Sequence, residues 1–283
     1  MSARGRSARR VPPRRLAALL VVGALAPALT GCAHPADRAD PADGVRRTAS
    51  REGDPAPNPA PDAHRRWGLT APLTPAPLTP APRPARPGGA SAPGAPPATD
   101  LAPVIDRVPT RDPVVFLIYG DGVGQDPRFG ELVRDLRLPV TVFLTDRAPG
   151  PGHAELARLR PFGVDVQNHT LDHPYLPGLP YAGQRAEICG QRDKLHGRFG
   201  VRPDLLRPPH GAHDRETLRA AADCGMAAVV TGRPVPAPDA RPNPGDVLVA
   251  DPPAGTSATT ATLRLLRRVQ ALGLAVARLT DYV

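Results

Sequence analysis

The sequence predicts an α/β fold built on a parallel sheet, over about residues 110–283. The first observation behind this prediction is that strand-like and helix-like stretches alternate along the region, which is typical of strand–helix–strand units. The second is that polar side chains able to do chemistry follow several of the predicted strands, at the edge where sites collect in parallel folds. The region is also long enough to bury a core of its own.

The strongest strand pattern is Val114–Tyr119, an unbroken apolar run of the kind that is buried on both faces of a sheet. In chain order the predicted strands are Val114–Tyr119, Val140–Thr145, Val164–Gln167, Leu205–Leu206, Met226–Val230, Asp246–Ala250 and Leu274–Leu279. The predicted helices are Pro127–Arg137, His153–Arg160, Tyr181–Phe199, Asp214–Cys224 and Thr259–Leu272. Gly200 is well suited to end the third of these helices, and a proline-rich loop occupies Gly232–Gly245.

Residues 1–31 have the composition of an export signal. They contain six arginines and no acidic residue, followed by the apolar stretch Leu16–Leu29. This stretch is shorter than the ~20 residues that a membrane-spanning helix needs. The ending Leu29-Thr-Gly-Cys32 resembles the bacterial lipobox, which implies cleavage before Cys32 and a diacylglycerol on its sulfur. We therefore expect an extracytoplasmic protein anchored to the membrane by lipid, with an ordinary secreted protein as the alternative.

The next segment, residues 32–109, is expected to be a disordered linker rich in proline and alanine. From residue 33 onwards it holds 18 of the 40 prolines and shows little apolar periodicity. Such a sequence cannot bury enough apolar surface to offset the loss of chain entropy on folding. Trp67, the single tryptophan of the chain, lies within it and is expected to have no specific role.

Charge and cysteine content exclude some functions and leave others open. Six of the nine net positive charges belong to residues 1–31, and no basic run is interleaved with aromatic residues, so nucleic-acid binding is not expected. With Cys32 lipidated, Cys189 and Cys224 remain, each on a predicted helix. A disulfide between them and a pair of buried thiols are both compatible with the sequence.

Three residues at predicted strand ends have the chemistry of a metal site. Asp121 follows the first strand, and His169 and His173 are four residues apart, on one side of a helical turn. One carboxylate and two imidazoles leave open coordination positions on a divalent ion, as catalytic zinc sites do. Zinc is the preferred metal, although cobalt or another transition metal suits the same ligands.

Four motifs in sequence order resemble the polysaccharide deacetylase family, the NodB homology domain or carbohydrate esterase family 4. They are Tyr119-Gly-Asp-Gly122, Asn168-His-Thr-Leu-Asp-His-Pro174, Arg207-Pro-Pro-His-Gly211 and Gly245-Asp-Val-Leu-Val-Ala-Asp251. The resemblance implies a distorted (β/α) barrel and a metal-dependent hydrolase that removes acetyl groups from glycans. Its partner would be a cell-wall polysaccharide, peptidoglycan or a chitin-like glycan. It matches Asp121, His169 and His173 to the metal ligands.

The resemblance also implies that two catalytic groups are missing. The general base position of the family falls on Gly120 and the histidine acid position on Ala250. Arg207 matches the arginine that orients the base, and His210 is a candidate substitute for the acid. Each lost proton-transfer group is worth ~10²–10⁴ in rate. If the strand continues as far as Asp251, its side chain is expected to point to the opposite face from Ala250, because side chains alternate along a strand.

Three interpretations therefore remain open. The domain is a deacetylase impaired by the losses at Gly120 and Ala250, or a non-catalytic module that binds a glycan or holds a metal, or the product of a decaying gene copy with no selected role.

Overall fold

In the computed structural model, residues 60–77, 101–147, 151–235, 241–253 and 255–283 are described. The predicted signal peptide and Cys32 lie outside these residues, as does much of the predicted linker. Within the described ranges no helix is long and apolar enough to cross a membrane.

The core of the fold is a parallel sheet that curls into a distorted, partly open barrel. Its strands are β1 Val104–Ile105, β2 Val114–Tyr119, β3 Val140–Leu144, β4 Val164–Asn168, β5 Leu205–Leu206, β6 Ala228–Val230, β7 Arg233–Pro234, β8 Val247–Val249 and β9 Ala275–Val276. They follow the order β1-β6-β5-β4-β3-β2-β8-β7, with β9 paired to β2, and all pairings between them are parallel. The predicted (β/α) barrel is confirmed.

Helices cover the sheet between its strands. They are α1 Ala63–Arg66, α2 Pro127–Leu136, α3 Pro151–Arg158, α4 Tyr181–Phe199, α5 Arg215–Asp223 and α6 Ala258–Ala271. Their starts follow local chemistry: Asp126 accepts from the Arg128 amide at the start of α2, and Asp214 forms a reciprocal capping box with Thr217 at the start of α5. α4 ends at Gly200, whose φ of 64° is the left-handed conformation predicted for it.

β2 lies at the centre because it is apolar on both faces. Every residue of β2 is buried, and the strand pairs with β3, β8 and β9. Val115, Leu117 and Tyr119 pack into one cluster with side chains of α2 and α6. The alternate residues Val114, Phe116 and Ile118 pack into a second cluster, which contains Phe143, Leu205 and Tyr282. The alternation places one cluster on each face of the sheet.

A disulfide joins the end of α5 to the middle of α4. Cys189 and Cys224 are bonded with an S–S distance of 2.03 Å. The same two helices are linked by Gln184, whose side chain donates to Asp214 and accepts from Thr217. Of the two states that the sequence left open, the structure contains the disulfide.

Part of the predicted linker is folded onto the barrel. Residues 60–77, called here the N-terminal segment, pack against α2 and α6, and Trp67 is only 5% exposed. Its indole Nε1 donates to Asp135 on α2 at 3.0 Å, and Gln270 on α6 donates to the Ala71 carbonyl at 2.7 Å. The expectation that Trp67 has no specific role is therefore wrong, because the ring is buried against the barrel. An aromatic ring can bury its area without local periodicity.

The barrel also begins earlier than expected. β1 pairs with β6 through Val104 and Ile105, and Val108 is buried in the core. The predicted boundary at residue 110 is therefore too late.

Candidate functional site

Four strands bring the candidate residues to the carboxyl edge of the sheet. Asp121 follows β2 with Gly120 between them. His169, Arg207 and Ala250 are the first residues after β4, β5 and β8. The amides of His169, Arg207 and Ala250 donate to carbonyls of the neighbouring strands at 3.0, 2.9 and 2.8 Å. The backbone thus fixes where each of these side chains leaves the sheet.

His169 is buried and held in one tautomer. Its Nδ1 lies 2.7 Å from the backbone oxygen of Arg207. Since a carbonyl oxygen only accepts, Nδ1 carries the proton and Nε2 keeps a free lone pair. Burial, aided by the positive charge of Arg207, lowers the pKa of His169 to about 3. The imidazole is therefore neutral at physiological pH, which is the form that binds a metal, and its backbone partner orients it as in many metal sites.

His173 lies on an irregular loop, where the sequence predicted a helical turn. Thr170 and His173 have φ angles of 69° and 57°, in the left-handed region, so this stretch is not a right-handed helical turn and the predicted turn is wrong. The His173 ring packs edge-on against the rings of His169 and His210, with centroid distances of 4.7 and 4.9 Å. Burial and the nearby His210 lower the pKa of His173, while Asp121 opposes this.

Asp121 is held at the site by Thr145 on the loop after β3. Its Oδ1 accepts from the Thr145 amide at 2.9 Å, and its Oδ2 accepts from the Thr145 hydroxyl. In the described part of the chain, no group of three His, Cys, Asp or Glu side chains is arranged to hold a metal ion. The donors themselves suit a divalent cation, since two neutral imidazoles and one carboxylate are a typical set. The assignment of Asp121, His169 and His173 as ligands stays a prediction.

Asp251 occupies the space beside Gly120. Its Oδ1 accepts from the Gly120 amide at 2.6 Å, and its Oδ2 accepts from Arg207 Nη2 at 2.9 Å. The expectation that Asp251 points to the opposite face from Ala250 required the strand to continue, and this condition is not met. β8 ends at Val249, so the alternation of side chains does not continue as far as Asp251.

Arg207 binds the carboxylate of Asp251 from a largely buried position. Its side chain is 14% exposed, and its Nη1 is buried without a hydrogen-bond partner among the described residues. A charge so enclosed needs a counterion close by, and Asp251 provides it. A Cβ atom added at Gly120 would lie 3.7 Å from Nη1, so the unpartnered nitrogen faces position 120.

A cavity of about 850 Å³ opens beside these residues. Arg207, His210, Ala250 and Asp251 line one side of it, and α6 lines the other. Ala250 itself is 4% exposed and packs against the apolar core, so position 250 offers no proton donor to the cavity. His210 is exposed at its rim, and its role as a substitute acid stays a prediction.

Sequence reasoning missed Thr145 and Asp251 as members of the site. Thr145 is the polar residue that ends an apolar run, at the strand edge where ligands collect. For Asp251 a charge argument was available: once position 120 lacks a carboxylate, a buried Arg207 requires another acid nearby.

Comparison with known proteins agrees with the motifs. The family model for polysaccharide deacetylase matches residues 107–229, which include Gly120, the three candidate ligands and Arg207, and end before Ala250. An uncharacterized protein of Streptomyces coelicolor is 54% identical over 194 residues, covering 65% of this chain and 78% of its own length. A chitooligosaccharide deacetylase of Sinorhizobium fredii is 27% identical over 143 residues, covering 46% of this chain and 62% of its own.

The fold has neighbours among solved structures. One is a mutant, with restored enzymatic activity, of BA3943, a carbohydrate esterase family 4 pseudoenzyme from Bacillus anthracis. It superimposes with a TM-score of 0.55 at 20% identity, covering 64% of this chain and 72% of that one. The fold, the family match and the ordered motifs agree, and the chain is a divergent member of the polysaccharide deacetylase family.

Proposed function

We propose that this chain is an extracytoplasmic, lipid-anchored protein that removes acetyl groups from a cell-wall glycan, using a divalent metal. The observation that carries the proposal is the contact between the His169 and His173 rings, with His169 bonded to the backbone of Arg207, a residue that lines a large cavity. A relative named as a chitooligosaccharide deacetylase supports a glycan substrate, either a chitin-like glycan or peptidoglycan.

Each residue of the site has a separate role in the proposed reaction. Asp121, His169 and His173 would hold the metal, which when bound polarises an acetyl carbonyl and acidifies water. Burial keeps the His169 ring neutral and available through Nε2. Asp121 supplies the negative charge of the ligand set, and Thr145 orients it. The 850 Å³ cavity is of a size that admits a sugar residue.

The rate should fall below that of a family member with both proton-transfer groups. Position 250 carries a buried methyl group where a histidine acid is expected, so protonation of the leaving group depends on water or on His210 at the cavity rim. The loss of one acid is worth roughly 10²–10⁴ in rate.

Acetate release by the full-length protein tests the proposal. The substrates are acetylated chito-oligomers and peptidoglycan, with zinc or cobalt added. We expect slow, metal-dependent release that His169→Ala abolishes, together with zinc binding measured by calorimetry. His196→Ala is the matched control, since His196 is exposed on α4 and is not among the candidate ligands. An absence of acetate from every substrate would overturn the deacetylase proposal.

A second function, glycan binding without catalysis, is favoured by Gly120 and Ala250 and by the same cavity. It predicts calorimetric binding of chito-oligomers or peptidoglycan fragments with no acetate released, and binding that persists in His169→Ala. A protein with no affinity for any of these glycans would contradict it.

The proposed localisation rests on the export signal and the lipobox-like Leu29-Thr-Gly-Cys32, which lie outside the described residues. Cys32→Ala should move the protein from the membrane fraction to the medium and abolish labelling by a fatty acid. Wild-type protein found only in the medium would favour the secreted alternative.

A further inference from the structure

The carboxylate of Asp251 lies where a side chain from position 120 would extend. A Cβ atom at Gly120 would be 3.6 and 3.8 Å from the two Asp251 oxygens, which is ordinary van der Waals contact. The Gly120 amide also donates to Oδ1 of Asp251 at 2.6 Å. An acid on the loop after β8 therefore takes up space that an acid on the loop after β2 would otherwise fill.

Arg207 matches the arginine that, by the family resemblance, orients a base at position 120. In this chain it binds the carboxylate of Asp251 instead. Its Nη2 donates to Asp251 Oδ2 at 2.9 Å, and the guanidinium is largely enclosed. The pair fixes the direction of the carboxylate, because a charged hydrogen bond from a planar guanidinium is strong and directional.

Asp251 is also reachable from the cavity. Its side chain is 40% exposed and lines the cavity beside His210. A general base has to be held in place and still touch the reacting water. Asp251 is held by Arg207 and is open to the cavity from which water would reach it, whereas Asp246, the other acid on the β8 segment, is 3% exposed and accepts from the Asn243 amide.

We propose that Asp251 is the general base of this deacetylase, replacing the acid that Gly120 lacks. This role rests on the proposed function. One O–H bond of a water breaks and its proton passes to Asp251, while the water oxygen bonds to the acetyl carbon. The bond from that carbon to the sugar nitrogen or oxygen then breaks, and the sugar atom takes up a proton from water or from His210, which the proton held by Asp251 replaces. Acetic acid leaves and ionises to acetate.

The decisive variants are Asp251→Asn and the relocation variant Gly120→Asp/Asp251→Ala, in which the short side chain at position 251 leaves space for the new carboxylate. Asparagine keeps the shape of the side chain but cannot take the proton, so kcat for acetate release should fall by about 10²–10⁴. KM and zinc affinity should stay at wild-type values. The acidic limb of the pH–kcat profile should disappear as well, which a purely structural change would not cause.

The relocation variant should recover most of the lost rate. Gly120 has φ −93°, a conformation open to any residue, and its Cβ would meet no atom closer than 3.6 Å. An aspartate there faces the unpartnered Nη1 of Arg207. Gly120→Asp alone should not exceed wild type, because two carboxylates would then compete for one guanidinium. Asp193→Asn, with a side chain 71% exposed on α4, is the matched control.

The outcomes separate this role from the proposed function. If wild-type protein releases acetate and Asp251→Asn is equally fast, the role of Asp251 is overturned and the proposed function stands. If wild-type protein releases none from any substrate, both are overturned. A fall in kcat with unchanged zinc affinity and thermal midpoint, reversed by relocation, establishes the role.

Discussion

Asp135→Ala should weaken attachment of the N-terminal segment while leaving the barrel folded. Asp135 Oδ2 accepts from Trp67 Nε1 at 3.0 Å and from Arg66 Nη1 at 2.8 Å. Without the carboxylate, the enclosed indole N–H loses its acceptor, which costs ~1–3 kcal/mol. The ion pair adds little, because the Arg66 side chain is 69% exposed. This free energy corresponds to a roughly 5- to 150-fold smaller ratio of attached to detached segment.

Fluorescence can follow this attachment without a label, because Trp67 is the single tryptophan of the chain. In a urea titration, Trp67 emission and acrylamide quenching report the segment, while far-UV circular dichroism reports the barrel helices. For Asp135→Ala we expect the emission transition at lower urea and the circular-dichroism transition unchanged. Asp193→Ala, at an exposed site on α4, should change neither. If both variants match wild type in emission, the reasoning about Asp135 is refuted.

Three further predictions concern stability and are checked by thermal or urea unfolding. Gly163→Ala should destabilise by more than ~1 kcal/mol, because φ is 123° and its Cβ would meet a backbone oxygen at 2.6 Å; Gly197→Ala, in open space on α4, should instead stabilise. Replacing Cys189 and Cys224 together by serine should cost ~3–4 kcal/mol for a 35-residue separation, and an unchanged unfolding curve would contradict this. Burial raises the pKa of Asp165 in the folded protein above 3.8, because the buried carboxylate is more costly than the buried acid. The folded state is therefore favoured at low pH, and this stabilisation is lost as pH rises through the folded pKa. The free energy of unfolding of Asp165→Asn should accordingly match that of wild type at about pH 3 and exceed it at about pH 7. A difference between the two proteins that does not depend on pH would contradict this prediction.

The central fold was predictable because its main strands are continuous apolar runs in the sequence. The unbroken apolar runs at β2 and β3 and the helix ending at Gly200 match the structure closely. The strands β1 and β7 were missed, since β1 lies in the stretch predicted as linker and β7, Arg233–Pro234, lies in the predicted proline-rich loop. The predicted closing strand Leu274–Leu279 is confined to β9, and the chain then turns through Leu279–Asp281.

The parts of the site that local rules could not supply depend on contacts between distant residues. The loop from His169 to His173 brings the imidazoles together through left-handed residues, which no helical spacing predicts. The direction of Asp251 depends on where β8 stops and on Arg207, which lies 44 residues earlier in the chain. The contact between Trp67 and Asp135 spans 68 residues. In each case the deciding partner is distant in sequence.

If the protein is anchored through Cys32, as proposed, the attached N-terminal segment shortens its tether. Only residues 33–59 then separate the lipid from the barrel surface, and fully extended they reach at most about 95 Å. Residues 33–109 acting as one free spacer would reach about 270 Å on the same basis. Substrate would then be drawn from the layer of wall nearest the membrane, and release of Trp67 from α2 would widen that layer.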